Sequence, residues 1–173
     1  MSKLTALALS IAVLGGFWAF LALGPLAGSV LVWAGFLAWG CYFHTGGDNA
    51  ALQKTIVGMV YGAVIAGIAL SLVVANPLGL TGAVGPAVYV GATVFLLVIV
   101  AGQSLLSVVP ANVYGYAATA AYALQTPTVD GVGPLASLTA VNLTNPVLLV
   151  ALSVVLGAIF GLASGKLAGV LAK

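Results

Sequence analysis

The sequence predicts an all-α, polytopic membrane protein with six transmembrane helices arranged as two inverted three-helix repeats. Composition is the first observation: 63% of the 173 residues are hydrophobic and 3% are charged, whereas soluble domains carry about 25% charged residues. The second observation is that glycine, proline and polar stretches divide the apolar sequence into segments. The third is a likeness between the two halves of the chain, which is developed below.

Six apolar segments approach or reach the length of about 20 residues that a transmembrane helix needs. They cover residues 4–23, 25–43, 55–75, 86–106, 110–124 and 146–171. The first is longer than the apolar core of a signal peptide, which has about 7–15 residues. We therefore expect it to be retained as a span, with a cleaved signal as the alternative. The fifth is short, and a re-entrant helix that dips into the membrane and returns is the alternative there.

The connections between these segments differ in character. Residues 44–54 read as a polar loop, residues 76–85 as a turn rich in glycine and proline, and residues 125–145 as the longest loop. Asn145 precedes Pro146 at the start of the last span. Asparagine is favoured at helix N-caps, so we expect Asn145 to cap this helix.

The placement of the lysines predicts the orientation of the chain. With the N-terminus in the cytoplasm and six crossings, all four lysines fall on the cytoplasmic side and Asp130 falls outside. Excess lysine on the cytoplasmic side is the usual determinant of topology. These lysines are Lys3, Lys54, Lys166 and Lys173. We therefore expect a multi-pass protein of the lipid bilayer with both termini in the cytoplasm.

The two halves match when the sequence is shifted by 80 residues, which superposes Gly35 on Gly115 and Tyr42 on Tyr122. One transmembrane domain, 1–173, would then consist of repeat A at about 1–80 and repeat B at about 81–173. Repeats of three spans each must cross the membrane in opposite directions, and transporters with this arrangement bind substrate at the repeat interface. Chance likeness between helices rich in glycine and alanine is the alternative.

The segment 103–124 is unusually polar for an apolar chain, and Pro110 interrupts it. Polar groups at membrane depth normally face protein or a water-filled path. Seven residues are therefore predicted to line a solute pathway, as one hydrogen-bonding wall and one aromatic wall. They are Gln103, Ser107, Asn112, Tyr116 and Thr119, with Phe36 and Trp39 on the aromatic side. The alternative is that the polar residues are structural, because such side chains also bond helices together.

Glycines recur every four residues in the third and sixth spans. They are Gly58 and Gly62, and then Gly157, Gly161, Gly165 and Gly169. Small residues on one stripe let a partner helix approach closely in lipid. The partner is either a helix of the same chain or another subunit. Because six helices enclose little interior, we expect a homo-oligomer.

His44 and Asp48 are predicted to form a polar cytoplasmic mouth. With Cys41 they stand at i, i+3 and i+7, and these three residue types could bind a metal. However, Gly46 and Gly47 are expected to end the helix before Asp48 joins that face, so we predict no metal and no cofactor. One histidine and two acidic residues make an enzyme improbable, and a net charge of +2 is too small to indicate nucleic acid.

Residues 33–43 (WAGFLAWGCYF) and 103–122 (QSLLSVVPANVYGYAATAAY) resemble the YcdZ-like bacterial inner-membrane family, a domain of unknown function. The resemblance implies a bacterial inner-membrane location and brings no activity or site. No acidic residue is predicted inside the membrane to couple transport to ions. The sequence therefore favours a passive channel or facilitator for a small polar, mostly uncharged solute. The alternative is a non-transporting scaffold or partner subunit that assembles through its glycine-rich helices.

Overall fold

The computed structural model describes residues 1–128 and 133–172, and these residues form an all-α structure. The prediction of an all-α fold is confirmed. The helices are α1 (Lys3–Leu23), α2 (Val32–His44), α3 (Asn49–Ala75), α4 (Val84–Ile99), α5 (Val109–Gln125) and α6 (Pro146–Leu171). Two 3-10 helices, Val100–Gly102 and Ser104–Leu106, connect α4 to α5. The predictions made for Asp130 and Lys173 lie outside the described residues.

Within the described ranges, four helices are long and apolar enough to cross a membrane: α1, α3, α6, and α4 with its continuation to Gly102. The other two are shorter, with 13 residues in α2 and 17 in α5. At about 1.5 Å per residue they are about 20 and 26 Å long, whereas the hydrocarbon core is about 30 Å thick. The chain thus combines four helices of spanning length with two that fall short of it.

Three predicted boundaries were wrong. Helix α2 begins at Val32 and not near residue 25, α3 begins at Asn49 within the predicted polar loop, and α4 ends at Ile99. An apolar composition shows which residues lipid can cover, but it does not show which residues are helical. The first turns of α3 are polar and are still helical, because the Asp48 carboxylate caps them by accepting a hydrogen bond of 2.7 Å from the Ala51 amide.

Two local predictions were correct. The Asn145 side chain caps α6 and accepts a hydrogen bond of 2.9 Å from the Val147 amide. Helix α2 stops at His44, before Gly46 (φ 127°) and Gly47 (φ 70°). Both glycines adopt the positive φ that other residues avoid, so the chain turns sharply into α3.

Helix α6 fixes the directions of α1 and α2. The ring centroid of Phe17, near the end of α1, lies 6.2 Å from that of Phe160, while Lys3 at the start of α1 lines the same cavity as Ala172. Helix α1 is therefore antiparallel to α6. The Leu31 amide bonds to Ser153 and the Trp39 indole to Ser164, so α2 is parallel to α6.

The contacts of α3 orient the remaining helices. A Cβ on Gly67, in its second half, would meet Val147 at the start of α6, so α3 is antiparallel to α6. Helix α4 is antiparallel to α3, because the hydroxyl of Tyr89 bonds beyond the end of α3 and that of Tyr61 bonds to the Leu96 carbonyl. Helix α5 is parallel to α3, because Gly58 faces Ala111 and the later Gly62 faces the later Tyr116. Successive helices therefore alternate in direction.

The two short helices each pack mainly on a long helix from the other half of the chain. Helix α2 packs on α6 and α5 packs on α3, while α3 and α6 also contact each other. Along α3, Gly58 faces Ala111 and Gly62 faces Tyr116. The centre between these helices is filled by the large side chain of Met59 and by smaller ones: Ala34, Ala38, Cys41, Ala63, Ala111, Ala118, Val150, Val154 and Ala158.

Candidate functional site

A cavity of about 730 Å³ opens at one end of the helix bundle, where α1 begins and α2 and α6 end. We call it the lysine cavity. Its charged lining residues are Lys3 from α1, Lys166 from α6 and Asp48 from the α2–α3 turn. Apolar side chains complete its walls, among them Leu7 and Leu162. A charged opening with apolar walls is thus present at this end of the bundle.

The two residues predicted as a mouth are placed differently. Asp48 lines the lysine cavity while it caps α3. His44 is exposed at the end of α2 and does not belong to the lining. The turn between them is held by the Tyr42 hydroxyl, which donates a hydrogen bond to the Gly47 carbonyl. This turn fixes the Asp48 side of the opening.

Cys41 is separated from the other members of the metal set that its spacing suggested. It is buried, and the Thr55 hydroxyl donates to its sulfur at 3.8 Å. Asp48 has left the helical face of α2, because the helix ends before Gly46. In the part of the chain that the structure describes, no three His, Cys, Asp or Glu side chains are close enough to hold a metal ion.

A smaller cavity of about 250 Å³ lies at the other end of the bundle, beside the turn that precedes α2. We call it the hydroxyl cavity, because Tyr122, Thr126, Ser137 and Thr144 line it together with Gly28. It separates the α1–α2 turn from the end of α5 and from the segment that precedes α6. The sequence did not predict it, because its hydroxyl residues come from the end of α5 and from the segment before α6, while Gly28 on its other side is distant along the chain.

The two cavities are separated by the packed length of α2, which is about 20 Å. Ala34 and Ala38 on this helix are fully buried, and they belong to the same small-residue core as Ala111 and Ala118. The space between the cavities is therefore occupied by closely packed helices in this conformation.

The predicted aromatic wall lies on the side of α2 that faces α1 and α6. The rings of Phe36 and Trp39 stack with centroids 5.7 Å apart, and Trp39 also approaches Phe160 at 5.9 Å. The Trp39 indole N–H donates to the Ser164 hydroxyl at 3.0 Å. Trp39 is 3% exposed and Phe36 is 42% exposed, so only Phe36 is accessible from outside the chain.

Asn112, the centre of the predicted polar wall, bonds to the protein. Its amide nitrogen donates to the carbonyls of Leu97 (3.2 Å) and Leu106 (3.1 Å), on the two sides of the break between α4 and α5. Its amide oxygen is buried without a hydrogen-bond partner among the described residues. That oxygen faces Gly58, where a Cβ would lie 2.7 Å away. Asn112 thus joins the end of α4 to the start of α5.

The other predicted polar residues fall into two groups. Tyr116 and Thr119 lie on α5, where the Tyr116 hydroxyl is 3.2 Å from that of Thr93 on α4 and the Thr119 hydroxyl donates to the Gly115 carbonyl. Gln103 and Ser107 are exposed near the 3-10 helices. None of the hydrogen bonds or aromatic contacts recorded for residues 1–128 and 133–172 joins this polar set to Phe36 and Trp39.

Most of the predicted packing glycines contact helices of the same chain. A Cβ on Gly157 would collide with the Gly35 backbone of α2, and one on Gly62 would collide with the α5 backbone. Gly58 faces Asn112, and Gly161 faces the ring of Tyr42. A Cβ on Gly165 would lie 3.7 Å from the Phe43 ring, and one on Gly169, which lines the lysine cavity, would meet no atom within 4 Å. The sequence left the partner undecided, and the structure supplies one within the chain.

Ser153 and Ser164 are positioning residues that sequence reasoning missed. The Ser153 hydroxyl accepts from the Leu31 amide at 2.8 Å at the start of α2, and Ser164 accepts from Trp39. Both are fully buried. Their positions among the glycines of the last span could have indicated contacts to a second helix, because buried hydroxyls need partners.

Comparison with known proteins gives a family and no closer relative. No curated protein and no solved structure matches the chain. The family model described as "Protein of unknown function (DUF1097)" matches residues 8–169. The matched residues include most of both halves of the chain and the helices that surround both cavities. The chain therefore belongs to the DUF1097 family.

Proposed function

We propose that the protein is a passive channel or facilitator for a small polar, mostly uncharged solute. The observation that carries this proposal is the pair of openings at opposite ends of α2, the lysine cavity and the hydroxyl cavity. Hydroxyl groups can replace water around a neutral polar solute. Small residues such as Ala34 and Ala38 separate the openings, so the proposal requires α2 to move relative to α3 and α5.

The proposal includes six crossings arranged as two inverted repeats. It is supported by the alternating directions of the helices and by the exchange of short helices between the halves, α2 onto α6 and α5 onto α3. Gly35 and Gly115, which the shift of 80 residues superposes, both lie where a short helix crosses a long one. A Cβ on Gly157 of α6 would collide with the Gly35 backbone, and a Cβ on Gly115 would collide with the α3 backbone at Met59. Inverted repeats are frequent in transporters.

We place the lysine end of the bundle in the cytoplasm of a bacterial cell, with both termini there and the chain in the inner membrane. Lys3 and Lys166 line one cavity at this end, and Lys54 lies in the early turns of α3, which begins beside that cavity. Lysine concentrates on the cytoplasmic side of membrane proteins, and the resemblance to inner-membrane proteins agrees with this placement.

The passive character follows from the inventory of charges. The chain has two acidic residues, and Asp48 lies in the α2–α3 turn as the cap of α3. Ion-coupled transporters use acidic groups inside the membrane. We further propose a homo-oligomer, since the interior of one chain is packed with side chains and leaves little space for a pathway.

The second candidate is a scaffold or partner subunit without transport. It is favoured by the placement of Asn112 and Thr119, which are fully buried and bond to backbone carbonyls. Such polar contacts between and within helices stabilise membrane proteins without lining a path. In this alternative both cavities are surface features of a static bundle.

Proteoliposomes separate the two candidates. Swelling rates for urea, acetamide, glycerol and methylamine, recorded by stopped-flow light scattering, are expected to exceed those of protein-free liposomes for at least one solute. Tyr116→Phe should change that rate, because it removes the hydroxyl facing Thr93. Tyr114 is exposed on the same helix and lines neither cavity, so Tyr114→Phe is the matched control and should not change the rate.

Equal swelling with and without correctly assembled protein, for every solute, would favour the scaffold. A transport rate that is unchanged in both Tyr116→Phe and Asn112→Leu would retain the facilitator and remove α5 from the pathway. Size-exclusion chromatography of each variant checks that its oligomeric state has not changed.

A further inference from the structure

We infer that the lysine cavity binds the headgroup of an anionic phospholipid. Two lysines from the opposite ends of the sequence, Lys3 on α1 and Lys166 on α6, line this single cavity. Basic pockets between helices at the cytoplasmic end of membrane proteins bind anionic headgroups. The volume of about 730 Å³ lies within the usual range for ligand sites, which is about 300–1,000 Å³.

The walls of the cavity fit an amphiphile better than a soluble anion. Leu7, Phe43 and Leu162 lie beside the two lysines, so a charged group and an apolar chain find partners in the same space. Leu4, next to Lys3, is 77% exposed on the outer surface of α1. An acyl chain leaving the cavity would therefore continue along an apolar helix surface into the bilayer.

The charges in the cavity specify the kind of headgroup. Its described lining carries the two lysines and the Asp48 carboxylate, and these leave a net charge of +1. The position of the Asp48 carboxylate is fixed, because it accepts a hydrogen bond from the Ala51 amide and so caps α3. A headgroup with a single negative charge, such as phosphatidylglycerol, matches this balance. The inference does not rest on solute passage, although a bound headgroup would occupy the proposed cytoplasmic mouth.

Native mass spectrometry of the detergent-purified full chain tests the inference, with dioleoylphosphatidylglycerol titrated against dioleoylphosphatidylcholine. The double variant Lys3→Gln/Lys166→Gln is expected to bind phosphatidylglycerol about 25-fold more weakly, since each lysine near an anionic surface contributes about fivefold. Lys54→Gln is the matched control. It removes one lysine at the same end of the bundle, and Lys54 does not line the cavity, so its effect is compared with half of the free-energy change in the double variant.

Asp48→Asn gives a change of opposite sign. It removes the negative charge from the cavity and retains a residue that is favoured at N-caps, so α3 should be preserved. Its affinity for phosphatidylglycerol is expected to rise by about fivefold. Circular dichroism of each variant confirms that its helix content is unchanged.

Two outcomes would overturn the inference. A loss of about fivefold in Lys54→Gln, which is the same loss per charge as in the double variant, would assign the binding to general surface charge. Competition by millimolar inorganic phosphate, with no preference for phosphatidylglycerol over phosphatidylcholine, would assign the cavity to a soluble anion. A preference that the double variant loses and Lys54→Gln keeps would support the site.

Discussion

At the scale of the residue, glycine decides how closely the helices of this protein approach. Gly157 on α6 lies against the Gly35 backbone, and Gly115 on α5 lies against that of Met59. Packing contacts of this kind drive helix association in lipid, where the hydrophobic effect between helices is absent. Gly157 and Gly115 therefore stabilise the protein, because the absence of a side chain lets the backbones of two helices come into contact.

Gly157→Ala is expected to destabilise the protein by about 1–3 kcal/mol, the usual cost of adding a methyl group to a packed interior. The new Cβ would overlap the Gly35 carbonyl, so α2 and α6 would have to separate. Thermal unfolding in detergent, followed by circular dichroism, measures the loss. Gly169→Ala, on the same helix with open space, should leave stability equal or slightly higher. Equal stability of the two variants would contradict the packing described.

At the scale of the element, α2 depends on α6 for more than packing. The residue that precedes its first turn is Leu31, whose amide donates to the Ser153 hydroxyl. The second half of α2 is bonded to α6 through Trp39 and Ser164. A helix start buried without such a partner would leave backbone donors unsatisfied. The sequence of α2 offers no residue of its own for this purpose, since Leu31 occupies its N-cap.

Ser153→Ala should free the Leu31 amide, and we expect a loss of about 1–3 kcal/mol, the cost of an unsatisfied buried donor. Hydrogen exchange measured by mass spectrometry should accelerate in the first turn of α2. Ser71→Ala is the control, because the Ser71 hydroxyl donates to the Gly67 carbonyl of its own helix. Unchanged exchange at the start of α2 would show that Ser153 does not stabilise it.

The boundaries of the elements were predictable where lipid determines them. The segments proposed for α1 and α6 agree with the structure because their apolar runs coincide with helix, and Asn145 marks a cap by its own chemistry. The start of α2 was not predictable, because residues 25–31 are as apolar as the helix they precede. The contacts of Asn112 also escaped prediction, since its partners are carbonyls and carbonyls are present at every residue.

At the scale of the whole molecule, the alternation of helix directions places the α2–α3 turn and the segment before α6 at opposite ends of the bundle. Helices α3, α4 and α5 lie between these two points along the chain. If each crosses the membrane, the two ends face different compartments. A re-entrant α5 would place both on one side.

Single cysteines at His44 and Thr139, both exposed, distinguish these topologies. In intact cells a membrane-impermeant maleimide is expected to label Thr139→Cys, and to label His44→Cys only after permeabilisation. The parent chain is the control, because its Cys41 is 1% exposed and should stay unlabelled. Labelling of both variants from the same side would rule out six crossings.

Because the short helix α2 packs on α6 from the other half of the chain, it is synthesised well before its main packing partner. About 100 residues separate the end of α2 from the start of α6, and synthesis at about 5–20 residues per second takes roughly 5–20 s to cover them. During that interval the 13-residue α2 has neither the length to span the membrane alone nor its main partner. The first half of the chain must therefore be held in an immature state until the last helix is made.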